Sequence, residues 1–563
     1  MTQPGATTSS QNTSRPMSFS DRESGNVAAG VGRAAHRRML LLVGAATAAA
    51  LMLTVRSQIY DTNFYLLWEA VAILEGDHPY RDFFDWGAPL AAYLSAAMQL
   101  VVGYRLIGEF LMGWLFITAG VVIAFHLGLR LSQSVGATLV MFLLALPIVA
   151  YAPTYHYSKL FFFPATIWLA WRYMDRPTPW RGAVCGFTAG AAFLFRHDYG
   201  VYIGFASVVA FVLARFAAPE SRRPASLLKD AAAYAAGVAI LVLPWAVVVQ
   251  LSEGLIEYVQ ARTMLYERPT TTFVYPTLLM WNPVSVLTSW IRAPLSPEAA
   301  QNAALWLRQI GLLVPLFLLA AAGFQWRRSR RDGVAVPLDA WRMMLAGAFL
   351  AVVAAALFRE PPYVVVSAPV TAALSATFLR RRSGLAHTTA VVVLILTCGA
   401  ALIWTKDSPL FRPADLPRGL SRAYDQLMAS PPIPAESTGA PSLRLQYLRD
   451  CSVRGDRLFV TGSTPYHIGY YARRGPAGGH LYWRLRWRRG DAHEQQSLEL
   501  LQRQSVPFAI STNDKVLDDL RFYPRIREYM AQHYRALDGG WLLVDTRRQP
   551  TGTFEPLGYP CFR

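Results

Sequence analysis

The fold class is set by the stretch RAAHRRMLLLVGAATAAALMLTV, residues 33–55, in which a basic flank leads directly into an apolar run over residues 39–55. A helix of roughly 17 to 25 apolar residues is long enough to cross the hydrocarbon core of a bilayer. Because the run has no convincing cleavage site before Arg56 and many further apolar stretches follow it, we interpret the run as a signal anchor with its N-terminus in the cytoplasm. Residues 1–34, rich in Ser, Thr, Gly and Gln, are predicted to form a disordered cytoplasmic tail.

The composition of the rest of the chain extends this interpretation. Of 563 residues, 53% are apolar and only 16% are charged, whereas soluble domains carry about a quarter charged residues. The sequence therefore predicts a polytopic α-helical membrane protein with about 11–13 transmembrane helices within residues 35–405. Beyond the first run, apolar stretches fall near 88–103, 107–128, 134–151, 158–171, 182–195, 199–214, 231–250, 305–325, 341–358, 363–379 and 387–404.

The basic residues indicate orientation and exclude nucleic acid as the expected partner. The formal net charge is +18, but many Lys and Arg residues lie in short clusters between apolar stretches, as in cytoplasmic loops. If these clusters are cytoplasmic, the stretch 88–103 has two interpretations. It is a re-entrant helix that does not cross the membrane fully, or it crosses and a further transmembrane helix is not evident from the sequence. The clusters comprise Arg172, Arg176 and Arg181; Arg215, Arg222, Arg223 and Lys229; Arg327, Arg328, Arg330 and Arg331; and Arg380, Arg381 and Arg382.

Residues 406–563 are more polar and are predicted to form a small extracytoplasmic α/β domain. Cys451 and Cys561 lie in this region and are a possible disulfide if it is extracytoplasmic. The patterning predicts strands over residues 457–461, 507–511 and, as the last strand, 541–544. It predicts helices from residue 465 and over residues 498–504 and 517–534.

The same orientation places several polar groups on the external face. They are the loop 56–87, residues 155–159, residues 196–198 and residues 359–360, and a second long loop, 251–303, lies on that side. Ionisable residues at the ends of apolar helices are costly unless they serve a site or reach the interface. Asp61 follows the first span directly, where a carboxylate can act as a base on a polar substrate. It can equally be the N-cap of the following helix.

Several motifs along the chain resemble one family. Asp61, the motif GDHPYRDFF of residues 76–84 and the Pro89-Leu90 pair that opens the next helix resemble membrane glycosyltransferases of the GT-C superfamily. The resemblance is to bacterial relatives of protein O-mannosyltransferases and of the lipid A aminoarabinose transferase. The motif FRHDYG of residues 195–200, Arg359-Glu360 and the segment that begins at Arg457 are similar to later parts of these enzymes.

The resemblance implies an activity and a set of site residues. It implies transfer, with inversion, of a sugar from a polyprenyl-phosphate carrier to a glycan, lipid or protein acceptor of the cell envelope, on the external face of a bacterial plasma membrane. Asp61 would be the base, and Lys159, Arg196 and Arg359 would hold the donor phosphate. Thr62 and Asn63 stand where the family often has a second acid, so no cofactor is expected, and a divalent cation is not indicated. Further substrate-binding candidates are Tyr60, Arg81, Asp82, Asp85, His156, His197, Asp198 and Glu360.

Several of these residues also fit purely structural roles. Arg196 and Asp198 can neutralise each other at a helix end, and His156 and Lys159 can belong to an interfacial aromatic belt. Asp82 and Asp85 can orient the loop instead of binding acceptor. The alternative functions are a lipid-linked glycan ligase or polymerase, which needs no essential acid, and a non-catalytic envelope scaffold.

Overall fold

Most of the described residues are helical. The computed structural model describes residues 33–59, 64–85, 87–150, 157–217, 224–252, 254–264, 297–357, 363–380, 416–430, 440–462, 466–481, 483, 491–512 and 515–563. The helices before the C-terminal region are α1 (Arg33–Leu53), α2 (Val55–Gln58), α3 (Phe64–Leu74), α4 (Pro89–Val102), α5 (Ile107–Ser132), α6 (Val135–Ala150), α7 (Tyr157–Asp175), α8 (Pro179–Phe195), α9 (His197–Ala217), α10 (Pro224–Ser252), α11 (Leu255–Met264), α12 (Pro297–Arg331), α13 (Leu338–Leu357) and α14 (Tyr363–Arg380).

Several of these helices are apolar enough to indicate a membrane protein. Within the described ranges, four are long and apolar enough to cross a bilayer: Ala34–Leu53, Ile107–Ser132, His197–Ala217 and Ala225–Ser252. Large apolar side chains such as Leu42, Leu228 and Leu251 are exposed on them. Contiguous apolar surface of this kind is unusual on a soluble protein and normal against lipid. The apolar stretch predicted at 387–404 lies outside the described residues.

Helix α4 covers most of the stretch 88–103, for which the sequence leaves open whether it crosses the membrane. It has 14 residues and ends at Gly103, which adopts a left-handed conformation. At 1.5 Å per residue it is about 21 Å long, shorter than the roughly 30 Å of a hydrocarbon core. Its length therefore favours a shallow or re-entrant helix.

Small residues allow the apolar helices to pack closely. Helix α8 packs along α10, with Gly186 against the backbone of Tyr234 and Gly237 against that of Ala183. A Cβ atom at either glycine would collide with the facing carbonyl oxygen. Such contacts are typical of helix pairs in membranes, where close backbone approach replaces the hydrophobic effect as a source of stability.

The C-terminal region is a small α/β unit. In its five-stranded sheet, ordered β2-β1-β3-β5-β4, the first three strands are parallel and the last two are antiparallel to their neighbours. Strands β6 and β7 form a separate antiparallel pair. The elements are α15 (Leu416–Met428), α16 (Ala440–Asp450), β1 (Arg457–Thr461), α17 (Tyr466–Ala472), β2 (Gly475–Pro476), α18 (Asp491–Arg503), β3 (Phe508–Ser511), α19 (Val516–Asp519), α20 (Pro524–His533), β4 (Tyr534–Leu537), β5 (Leu542–Asp545), β6 (Gly552–Phe554) and β7 (Tyr559–Cys561).

Several details of the predicted domain are wrong. The helix expected over residues 517–534 is divided into α19, a 3₁₀ turn and α20, because Pro524 starts a new helix and has no N–H with which to continue the earlier one. Strand β5 is not the last, since β6 and β7 follow it, and β2 and β4 are additional strands. The helix predicted over residues 498–504 is α18, which begins at Asp491. The strand predicted at 457–461 is present as β1.

Cys451 and Cys561 form a disulfide that joins the end of α16 to β7. The backbone N–H of Phe562 donates to the Cys451 carbonyl at 2.9 Å beside the bond. The disulfide therefore fixes the β6–β7 pair, the last part of the chain, to the start of the α/β region.

Candidate functional site

The first loop, residues 56–87, contains an ion pair between two of its own residues. Arg81 and Asp82 form an ion pair at 2.7 Å, and the backbone N–H of His78 donates to Asp82 at 2.8 Å. Partial burial alone would raise the pKa of Asp82, but the Arg81 guanidinium and the His78 N–H together lower it. Arg81 and Asp82, both predicted to contact substrate, are thus paired with each other in this conformation.

Asp85 lies in the turn that precedes α4 and is completely buried. Its Oδ2 atom accepts hydrogen bonds from the backbone N–H groups of Gly87 (2.9 Å) and Ala88 (3.1 Å). Gly87 and Ala88 precede Pro89, the first residue of α4, so Asp85 orders the turn before the helix by accepting from donors two and three residues further on, as Asp side chains commonly do in turns. Of the two roles that the sequence leaves open for Asp85, the geometry supports orientation of the loop.

The break between α8 and α9 carries Arg196, His197 and Asp198. Arg196 is extended, and its Nε atom forms an ion pair with Asp198 at 3.0 Å. The backbone N–H of His197 donates to the carbonyl of Gly87 at 3.2 Å. The structure therefore brings this polar break into direct contact with the first loop, although the two are far apart in the sequence.

Two of the predicted phosphate contacts lie on one aromatic ring. The Lys159 Nζ atom is 5.6 Å, and the Arg196 guanidinium carbon 5.2 Å, from the ring centre of Tyr199. Lys159 is only 2% exposed and Tyr199 is buried as well. A buried ammonium group is costly without compensation, and an aromatic face supplies part of it.

The sequence did not single out two buried acids near this region. Glu69 on α3 and Glu109 on α5 are almost completely buried, and Glu109 accepts a hydrogen bond from Ser95 at 2.8 Å. Each lies in a mainly apolar helix, and that position is the sequence signal that could have identified them.

Tyr258 was expected only as part of a long external loop, yet it lies on α11 against His197. Its hydroxyl is 2.6 Å from His197 Nε2 and 3.5 Å from Asp85 Oδ1. Tyr80 and Trp245 pack around it, and the Trp245 indole N–H donates to the Tyr80 hydroxyl at 2.9 Å. No local pattern links these residues, because each lies in a different part of the chain.

The C-terminal region contacts α3 and the loop that follows it. The Arg457 guanidinium binds both carboxylate oxygens of Asp77, which is buried. Further hydrogen bonds at this interface run from the Gly475 N–H to Glu75 (3.0 Å), from the Trp68 indole N–H to the Arg474 carbonyl (2.9 Å) and from the Phe84 N–H to the Gly479 carbonyl (2.8 Å).

Burial at this interface changes the titration of one acid. Burial raises the pKa of Glu75, although the Gly475 N–H and the Arg474 guanidinium act in the opposite direction. The interface thus contains one carboxylate in an ion pair, Asp77, and one whose charged form is disfavoured by burial, Glu75.

Five of the predicted site residues lie outside the described residues: Tyr60, Asp61, His156, Arg359 and Glu360. Their roles stay predictions. In the part of the chain that the structure describes, no group of three or more His, Cys, Asp or Glu side chains is arranged to hold a metal ion.

Comparisons with known proteins do not assign a family. No family model matches the chain, and no curated protein matches it either.

Proposed function

We propose that this chain is a polytopic membrane glycosyltransferase. It moves a sugar with inversion from a polyprenyl-phosphate donor to an envelope acceptor. Asp61 takes the proton from the acceptor hydroxyl as that oxygen attacks the anomeric carbon. The leaving lipid phosphate carries negative charge, so it needs nearby cations more than a proton.

The observation that carries the proposal is the grouping of Lys159 and Arg196 around Tyr199, in contact with the first loop. Both cations lie at or near helix ends, Lys159 in the first turn of α7 and Arg196 between α8 and α9. Arg and Lys are the side chains that pair with phosphate oxygens. A site at the ends of apolar helices also suits a donor whose lipid tail stays in the bilayer.

The orientation belongs to the same proposal. The N-terminus is cytoplasmic, the first loop and residues 406–563 face the extracytoplasmic side, and the membrane is a bacterial plasma membrane. The Cys451–Cys561 disulfide supports this orientation, because disulfides persist mainly in oxidising compartments outside the cytoplasm.

The proposal is tested in cells that lack the protein and receive either the wild type or Asp61→Asn. Lipid-phosphate sugars and envelope glycoconjugates are followed by mass spectrometry, and protein levels are matched by immunoblot. We expect Asp61→Asn to let one lipid-phosphate sugar accumulate that the wild type consumes. Equal behaviour of the two proteins would contradict the mechanism and favour a ligase or a scaffold.

A further inference from the structure

A chain of three polar side chains joins three separate elements. Asp85 in the turn before α4, Tyr258 on α11 and His197 at the start of α9 contact one another in that order. Asp85 and Tyr258 are buried, and His197 is half-buried. Because the contacts span 61 and 173 positions of sequence, they tie the first loop to two helices that follow it much later.

The hydrogen-bonding capacity of each group defines where the protons lie. His197 Nδ1 is 2.8 Å from the Phe193 carbonyl, which can only accept, so Nδ1 carries the proton. In the neutral imidazole, Nε2 is then an acceptor, and the Tyr258 hydroxyl donates to it at 2.6 Å. The phenol has a single proton, so the Asp85 oxygen at 3.5 Å makes only a weak contact with it.

The surroundings hold Tyr258 in this position. Its ring packs at 5.2 to 5.6 Å between centres against Tyr80, Trp245 and His197. Tyr80 adopts a φ of 81°, which is uncommon for any residue other than glycine. The Trp245 indole N–H donates to the Tyr80 hydroxyl and helps to hold Tyr80 in this conformation. The ring of Tyr258 is therefore fixed by packing, and its hydroxyl is the part that acts on His197.

His197 transmits this constraint to the first loop. Its backbone N–H binds the Gly87 carbonyl, and its ring lies against Gly87, where a Cβ atom would be 2.9 Å from His197 Cδ2. Gly87 has a φ of 79°, so both its conformation and its space require glycine. Arg196 and Asp198, the neighbours of His197, are thus placed relative to the loop by the same contact.

We propose that Tyr258 is a positioning residue: the Phe193 carbonyl selects the tautomer of His197, the Tyr258 hydroxyl donates to Nε2 and fixes the orientation of the ring, and His197 aligns the first loop with the Arg196–Asp198 pair. The purpose of the alignment rests on the proposed function, since it would present Arg196 to the donor phosphate. The alignment itself is a structural property and can be measured without any activity.

The structural test uses the full chain in lipid nanodiscs, labelled with ¹⁵N-histidine. His197→Gln assigns the signal of His197. In Tyr258→Phe, we expect the His197 Nε2 resonance to move toward that of a nitrogen without a hydrogen bond. Amide exchange at Gly87, Ala88 and His197 should rise about fivefold to tenfold, the effect of losing one buried hydrogen bond.

Tyr80→Phe is the matched control, because it removes a phenol hydroxyl from the same aromatic cluster without touching His197. It should leave the His197 nitrogen signals unchanged. An unchanged nitrogen signal in Tyr258→Phe, or an equal change in both variants, would overturn the proposal.

A kinetic measurement then tests the purpose of the alignment. The probe is the lipid-phosphate sugar fraction extracted from membranes of cells that lack the protein. We expect Tyr258→Phe to lower kcat about tenfold while KM changes little, since packing is preserved and only alignment is lost. If Tyr258→Phe alters the His197 nitrogen signals but keeps the wild-type kcat, the alignment does not serve sugar transfer. If the wild-type protein transfers no sugar, the proposed function is wrong. The His197 nitrogen signals would in that case still test whether Tyr258 positions His197.

Discussion

At the scale of single residues, the ion pair between Arg457 and Asp77 joins the C-terminal region to the first loop. Both side chains are largely buried, and the contact is bidentate. A buried carboxylate that loses its cation is left without compensation, which costs about 3 kcal/mol of unfolding free energy. The pair therefore contributes to the stability with which the α/β region holds the loop.

Arg457→Ala should accordingly destabilise the docked state, as measured by thermal unfolding of the purified protein. The double variant Asp77→Asn/Arg457→Gln removes both charges and should recover a large part of the loss, because no buried charge remains unpaired. If the single variant melts like the wild type, the ion pair does not support the interface.

Glu75 lies at the same interface, but loss of its charge is predicted to stabilise the protein, whereas loss of the Arg457 charge is predicted to destabilise it. Because burial raises its pKa, the folded protein holds this proton to higher pH than the unfolded chain does. The contribution of Glu75 to stability is present below the unfolded pKa of about 4.3 and is lost as the pH rises through the raised value.

Glu75→Gln keeps an oxygen that accepts the Gly475 N–H but cannot ionise. We expect it to raise the melting temperature at pH 7.5 and to have little effect at pH 4. Melting curves of both proteins at the two pH values test this, and a variant that is less stable at pH 7.5 would show that the carboxylate charge is favourable there.

At the scale of elements, the packing of α8 on α10 depends on the absence of side-chain atoms. Gly186 lies against the backbone of Tyr234, which cannot move aside as a flexible side chain could. The sequence contains this glycine within an apolar run, but it does not show which helix faces it.

Gly186→Ala should therefore lower the thermal stability of the detergent-solubilised protein by several degrees. Gly323→Ala is the matched control, because Gly323 also lies within an apolar helix and has open space around its Cα. It should leave the melting temperature unchanged or raise it slightly, since alanine favours the helix. Equal effects of the two variants would mean that the contact of Gly186 with α10 does not limit stability.

Local patterns in the sequence predicted the elements better than the contacts between them. Apolar runs located α5, α7 and α10, because burial or lipid contact leaves a continuous signal in composition. The break at Pro524 was missed, although proline in a helix gives a local signal. The contacts of Tyr258 with His197 and of Trp68 with Arg474 join residues 61 and 406 positions apart, and such pairings depend on the whole fold.

At the scale of the whole molecule, the proposed topology assigns opposite sides of the membrane to two exposed residues. Trp180, between the arginines at the start of α8, should face the cytoplasm, and Phe522 in the α/β region should face outward. Each is replaced by cysteine in a chain in which Cys185 and Cys398 are changed to alanine, and intact cells are treated with a membrane-impermeant maleimide. Only Phe522→Cys should react before the cells are permeabilised, and the reverse pattern would invert the proposed topology.

The most direct test of the proposed activity is sugar transfer by the purified protein in proteoliposomes. Wild type and Asp61→Asn are compared on the lipid-phosphate sugars extracted from membranes of cells that lack the protein, with membrane glycoconjugates as acceptors. We expect the wild type to consume one donor and label an acceptor, and Asp61→Asn to lose at least about a hundredfold in rate, the usual contribution of a general base. Equal rates for the two proteins, or no donor consumed by the wild type, would contradict the proposed mechanism.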